Sequence, residues 1–289
     1  MFHIKRARKT ACLRKGLANE IMPKFSVVAL YCDFNEPGLT KLAKNNIEQL
    51  IDITPTDAEL ILVINEMSNN LSEFLKNKDV MVVSTNKNVG CVVKNLGYEI
   101  AQGEYVFSID HDVFVRNRTA FDKCVQFLDD NPKTAIIGPC GGNINDNYWS
   151  EQNWGIGAYD IRKDYVPGKA DVFGYNDQVY FGGQEQLDGT AVDSIPSLFW
   201  CFRKSLIQQI GPLDWRFGPF VGSDADFCFR AKKEGHEVRI MRVPIEHING
   251  GSCSHKNQDN LPKVHADHLK ALYNKWHPHL SVVFENYKT

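Results

Sequence analysis

The sequence is first informative for what it leaves out. It contains neither G-x-G-x-x-G nor G-x-x-x-x-G-K, so the glycine spacings that bring backbone N–H groups onto a dinucleotide or a P-loop phosphate are missing. No G-x-S-x-G elbow supports a serine hydrolase. No apolar run reaches the ~18 residues that a membrane-spanning helix needs. The basic N-terminus is not followed by an apolar h-region, so no secretory leader is expected. A formal net charge of −2 gives no basic field for nucleic acid. The eight cysteines form no C-x-x-C pair, which disfavours zinc. Most lie among apolar neighbours, as in "LFWCF" and "DFCFR", and are expected to be buried free thiols of a cytoplasmic protein.

What is present is an ordinary globular composition, 43% hydrophobic and 24% charged over 289 residues, enough for one large α/β domain. Residues 1–24 stand apart as a basic extension carrying Lys5, Arg6, Arg8, Lys9, Arg14 and Lys15. Such a segment either packs on the surface or rests on an anionic membrane, as a peripheral contact.

From residue 25 the pattern alternates. "FSVVALYC", "ELILVI", "VMVVST" and "EYVFSI" are short apolar runs of the kind buried on both faces of a sheet. Between them lie "GLTKLAKNNIEQLI", "LSEFLKN" and "VGCVVKNLGYEIAQ", which read as helices, the last closed by a left-handed cap at Gly103. Strand–helix alternation with short connections predicts right-handed crossovers and a mainly parallel sheet flanked by helices. Ligands then bind beyond the carboxyl ends of the strands. Three polar clusters fall there: "DFNEP" (33–37), "NEMSNN" (65–70) and "DHD" (110–112).

Asp110 and Asp112 are two like charges past a buried strand. They form either a solvated turn or a cation site, and hard carboxylate oxygens suit Mg²⁺ or Mn²⁺. In "GPFVGSDADFCFRAKKEGHEV", Ser223 and Asp226 have the spacing of a capping box, and Gly235 ends the helix. Asp226 is read as structural. Asp224 either complements the helix dipole or projects into a cleft, where the helix N-terminus favours its ionised, proton-accepting form. His247, after a strand and before a Gly-rich turn, can complete a metal shell, whereas the other tail histidines read as surface or core residues. Residues 139–190 are rich in Gly, Asn, Tyr and Trp, and are either binding loops or a meander with inward aromatics.

These residues together resemble the nucleotide-sugar glycosyltransferases of the GT-A (Rossmann-like) fold, in particular the inverting family 2. The resemblance runs from about Phe25 to about Ser252. "VVALYCDFNEPGLTKL" is similar to the family's first strand and Tyr-Asn turn, with Phe34 and Asn35 in those places. "ELILVINEMSNN" resembles the second strand, with Asn65 where an Asp usually contacts the base. "STNKNVGCVVKNLGYEIAQGEYVFSIDHDV" looks like the Asn-x-Gly helix and the D-x-D strand. "SDADFCFR" resembles Glu-Asp-x-Asp followed by Arg, with Ser223 for the Glu, and "VPIEHINGGS" resembles the His-Gly-Gly-Ser stretch.

The resemblance implies one GT-A domain over 25–289: a nucleotide-sugar half (25–115), an acceptor half (116–252) and a helical tail (253–289). It implies a metal-dependent transfer of a sugar from a UDP-, GDP- or dTDP-linked donor to a glycan, glycolipid or protein hydroxyl, with inversion. Asp224 is then the general base. Asp33, Phe34, Asn35, Asn65 and Asp110 bind donor. Asp112 and His247, with Asp110 as a further candidate, hold Mn²⁺ or Mg²⁺. Trp200 and Trp154 meet the acceptor. Two other readings stay open: a catalytically inactive nucleotide-sugar or carbohydrate-binding module, and a metal-dependent nucleotidyltransferase.

Overall fold

A computed structural model of the chain describes residues 3–6, 22–32, 34–150, 153–156, 170–173, 180–181, 184–185, 188–218, 222–248 and 261–284. The first half runs β1 (His3–Arg6), β2 (Phe25–Tyr31), α1 (Pro37–Ile53), β3 (Glu59–Asn65), α2 (Asn69–Leu75) and β4 (Met81–Thr85). A 3₁₀ turn (Gly90–Val93) then leads into α3 (Lys94–Ile100) and β5 (Tyr105–Asp110). All seven residues of β2 are buried, as a Val-rich central strand covered on both faces requires.

After β5 come β6 (Val113–Val115), α4 (Thr119–Asp130), β7 (Thr134–Gly138), β8 (Ile144–Ser150) and β9 (Asn153–Ile156). Short strands follow at β10 (Ala170–Phe173), β11 (Tyr180–Phe181) and β12 (Gln184–Glu185). The chain closes with β13 (Phe199–Arg203), α5 (Ser205–Ile210), α6 (Ser223–Lys233), β14 (Glu237–Ile240), β15 (Ile245–Ile248), α7 (Leu261–Trp276) and α8 (Leu280–Val283).

The main sheet has the order β1-β4-β3-β2-β5-β13-β7-β14. β4, β3, β2 and β5 are parallel neighbours, so their carboxyl ends share one edge. β13 lies antiparallel between β5 and β7, and β14 returns parallel to β7. A second, three-stranded sheet, β10-β15-β6, stands at the same edge, where β6 leaves the end of β5. One core layer packs α1, α2 and α4 on the main sheet, and the other packs α3, α6, α7 and α8 on its opposite face. This is the mixed, mainly parallel, helix-flanked sheet that the strand–helix alternation predicts.

Several local expectations change. Gly103 does not cap α3, which ends at Ala101 in extended backbone. A Cβ on Gly103 would lie 2.4 Å from the Phe25 carbonyl carbon, so glycine is needed there because β2 passes against it. The capping box at α6 does not form. Gly222 occupies the N-cap with φ of 101°, a left-handed conformation that favours glycine, and Ser223 becomes the first helical residue. Gly235, at φ 83°, follows the end of α6 as expected. Cys32 is in a disulfide, contrary to the expectation of free thiols, and its partner lies outside the described residues. Cys91, Cys124, Cys140, Cys201 and Cys228 are free. Of the basic extension, His3–Arg6 pair with β4 as an added edge strand, and residues 7–21 fall outside the described residues. Among the described residues no helix is long and apolar enough to cross a membrane.

Candidate active site

The site is assembled where the parallel strands end. β5 delivers Asp110, whose Oδ1 lies 2.7 Å from Lys94 Nζ. Lys94 opens α3 and is wholly buried, with a second bond from Nζ to the Ser197 carbonyl at 2.8 Å. Burial alone would lower the pKa of this ammonium, but the carboxylate of Asp110, with Tyr98 and Cys91 beside it, outweighs burial and the net direction is upward.

Asp224 sits half-buried in the first turn of α6, its Oδ1 accepting the Ala225 N–H at 2.9 Å. Burial pushes its pKa above the usual carboxylate value, opposed by backbone N–H groups and by the charge of Lys94. The helix N-terminus therefore does not leave Asp224 a weaker base than usual, as the dipole argument alone predicts, because desolvation wins. Ser223 Oγ meets Cys91 Sγ at 2.9 Å, which docks the start of α6 on the 3₁₀ turn before Lys94. One buried lysine thus faces the carboxylate at the end of β5 and feels the carboxylate at the start of α6.

Asp112 lies in the turn between β5 and β6 and is 2% exposed. Its Oδ2 lies 3.7 Å from His247 Nε2, brought across by the antiparallel pairing of β15 with β6. Burial would raise the Asp112 pKa, but His247 and His111 outweigh it and the net direction is downward. His111 between the two aspartates is itself buried, its ring 6.4 Å from the Tyr31 ring. A carboxylate and an imidazole suit Mn²⁺, and divalent ions of this kind are commonly held by one or two protein groups plus substrate phosphates. Among the described residues no three His, Cys, Asp or Glu converge as a metal cage.

The remaining sequence candidates divide. Phe34 and Asn35 hold positive φ (46° and 59°), as does Glu66 (52°), and all three line a cavity of about 650 Å³ beyond β2, β3 and β4. That cavity is not lined by Asp110, Asp112 or Asp224. Asn65 is buried, and its amide is committed to the loop before α3, accepting from Val89 N and donating to the Gly90 carbonyl, both at 3.1 Å. Asp33 lies outside the described residues. Trp200 is corrected: it is fully buried, stacked on Phe227 at 5.5 Å and bonded through Nε1 to the Ile195 carbonyl, so it is core and presents no face to an acceptor. Trp154 falls in β9, and its side chain lies outside the described residues.

Asp226 is structural, as read. It is wholly buried and accepts from Trp276 Nε1 (2.8 Å) and Arg230 Nε (2.9 Å), with Lys275 Nζ at 2.6 Å. Sequence reasoning missed Lys94. The signal was a single charged residue inside the mostly apolar "GCVVKNLGY", which a buried helix tolerates only opposite an anion.

A family model described as "Glycosyl transferase family 2" matches residues 32–211, more than half of the chain. The chain belongs to glycosyl transferase family 2. Among curated proteins no match is found for this family 2 member. Its fold is similar to that of a solved structure described as GalNAc-T7 with UDP, GalNAc and Mn²⁺, with a TM-score of 0.55 and 13% identity over 90% of the chain. The family 2 chain spans 50% of that protein's length. A mannosyltransferase from Pyrobaculum calidifontis in complex with GDP-Man and Mn²⁺ aligns with a TM-score of 0.48 and 16% identity, covering 88% of this chain and 72% of the other.

Proposed function

We propose that the protein transfers a sugar from a nucleoside-diphosphate donor to a hydroxyl acceptor, inverting the anomeric carbon. The observation that carries this is Asp224: a half-buried carboxylate of raised pKa, placed by α6 beside the Lys94–Asp110 pair. Such a group accepts a proton near neutral pH better than an ordinary surface aspartate does. As the acceptor oxygen bonds to the anomeric carbon, its proton passes to Asp224 and the bond to the diphosphate breaks on the opposite face.

Asp110 and Lys94 lie on the donor side, with Phe34 and Asn35 at the neighbouring strand end. Asn65 acts through the 89–90 loop, which it fastens, rather than as a free contact to the base. Asp112 and His247 would hold Mn²⁺ or Mg²⁺; a bound divalent cation offsets charge developing on the leaving diphosphate. The GalNAc-T7 structure, which contains UDP and Mn²⁺, supports this class of donor and metal. UDP-, GDP- and dTDP-sugars all remain within the proposal, as do glycan, glycolipid and protein hydroxyls.

The experiment is donor turnover with added Mn²⁺, scored as release of nucleoside diphosphate from UDP-, GDP- and dTDP-sugars. Asp224→Asn should abolish release while binding of Mn²⁺ and nucleoside diphosphate persists. Turnover surviving in that variant would remove Asp224 from the role of base.

A further inference from the structure

The strand that follows Asp112 is held in an unusual way. β6 is the edge strand of the β10-β15-β6 sheet, so only one side of it faces a partner strand. On that side the Asp112 carbonyl accepts from Ile248 N (2.8 Å), and Arg116 N donates to the Pro244 carbonyl (2.8 Å). Alternation then turns the carbonyls of Val113 and Val115 away from β15. Among the described residues no strand receives them. Asn46 Nδ2 donates to the Val113 carbonyl at 2.7 Å, and Gln49 Nε2 donates to the Val115 carbonyl.

Both side chains come from α1, three residues apart. That spacing puts neighbouring helix positions roughly 5–6 Å apart, close to the ~6.6 Å between alternate carbonyls of a strand. Asn46 is fully buried, a place where an apolar residue would otherwise be expected. A carbonyl only accepts, so the atom facing Val113 must be the amide nitrogen. Asn46 Oδ1 is therefore the acceptor for the Tyr31 hydroxyl, 2.6 Å away. Tyr31 is the last residue of β2, the strand beside β5. A buried chain thus runs from the sheet centre through α1 to the residue after Asp112.

We propose that Tyr31, Asn46 and Gln49 are positioning residues for the Asp112–His247 pair. Two side-chain amides replace the missing strand and fix β6 relative to β5. They thereby fix where the metal-binding groups stand with respect to Asp110 and the diphosphate. The inference rests on the proposed function, in which Asp112 and His247 hold a divalent cation.

The test measures, by titration calorimetry on the full chain, the affinities for UDP and for GDP with Mn²⁺ and again in EDTA. The readout is the ratio of the two affinities, the metal-dependent gain. Asn46→Leu should reduce the gain by roughly 10–100-fold, the range typical of groups that orient metal ligands, with the EDTA affinity within about twofold of wild type. Gln49→Met and Tyr31→Phe remove one hydrogen bond each and should reduce it by a smaller factor, so the proposal stays testable if Asn46→Leu fails to fold. A purely structural role would lower the melting temperature and leave the ratio unchanged. An unchanged ratio in folded Gln49→Met and Tyr31→Phe overturns the inference alone. No metal-dependent gain in the wild type with either nucleotide overturns the inference together with the metal assignment on which it rests.

Discussion

Lys94 Nζ stands 2.7 Å from Asp110 Oδ1, and the lysine is wholly screened from solvent while the aspartate keeps 28% of its side-chain exposure. A buried cation with one carboxylate beside it and another within electrostatic reach explains why α3, β5 and α6 meet as they do. Removing the cation leaves Asp110 without its ion partner and takes from Asp224 the charge that favours its ionised form.

Lys94→Met is therefore expected to destabilise the fold by about 2–4 kcal/mol, below the ~3–5 of a fully buried pair because Asp110 is partly solvated. Urea denaturation measures this. Combining it with Asp110→Asn should cost less than the sum of the two single changes, because the unpaired charge is removed with its partner. Additive costs would show that the pair is not coupled.

Asp224 gives a pH-dependent prediction. Its folded pKa is raised, so the folded state binds a proton more tightly than the unfolded chain does. The associated stability is fully present below the ordinary aspartate value and is lost as pH rises through the folded value. Asp224→Asn removes that loss. The variant should melt at a higher temperature than wild type at neutral pH, and the gain should vanish on acidification below about pH 4, near the ordinary aspartate value. A variant less stable than wild type at pH 7 would contradict the burial argument.

Gly103→Ala should be strongly destabilising although the φ there is ordinary. The new methyl would lie 2.4–2.6 Å from the backbone of Phe25 and Ser26. Overpacking against backbone costs at least about 1–3 kcal/mol. A thermal melt within a degree of wild type would show that β2 and the turn before β5 can separate.

The tail is expected to matter through Asp226. Asp226→Asn would leave Arg230 and Lys275 short of their anion and weaken the Trp276 bond, costing roughly 2–4 kcal/mol. Lys275→Met should cost less, about 1 kcal/mol, because Lys275 is 28% exposed and shares its charge with Asp214. Equal losses in the two variants, read by denaturant midpoints, would contradict this ordering.

The parallel half of the sheet was legible because each of its strands is buried on both faces, and a continuous apolar run has few other uses. "FSVVALYC", "ELILVI", "VMVVST" and "EYVFSI" correspond to β2 to β5 within a residue or two. The positions of Asp110, Asp112 and Asp224 followed from those ends and from the glycine-flanked start of α6. Partners distant in sequence were not legible. Nothing local to Lys94 names Asp110 as its counter-ion, and nothing in the helical segment "GLTKLAKNNIEQLI" shows that Asn46 is buried while Ile51 is 37% exposed. Trp200 looked like a binding aromatic because exposure cannot be read from residue type, and the packing of Phe227 onto it decides otherwise. Ser223 and Asp226 have capping spacing, yet a positive φ at Gly222 moves the helix start by one residue.

The central claim is sugar transfer with inversion from a nucleoside-diphosphate donor, with Asp224 as base. Proton NMR of the sugar first released from an α-linked UDP-, GDP- or dTDP-sugar in the presence of Mn²⁺, recorded before mutarotation, tests it most directly. The account predicts the β anomer as the first product in the wild type and no release in Asp224→Asn. An α anomer as first product, or release undiminished in Asp224→Asn, would contradict it.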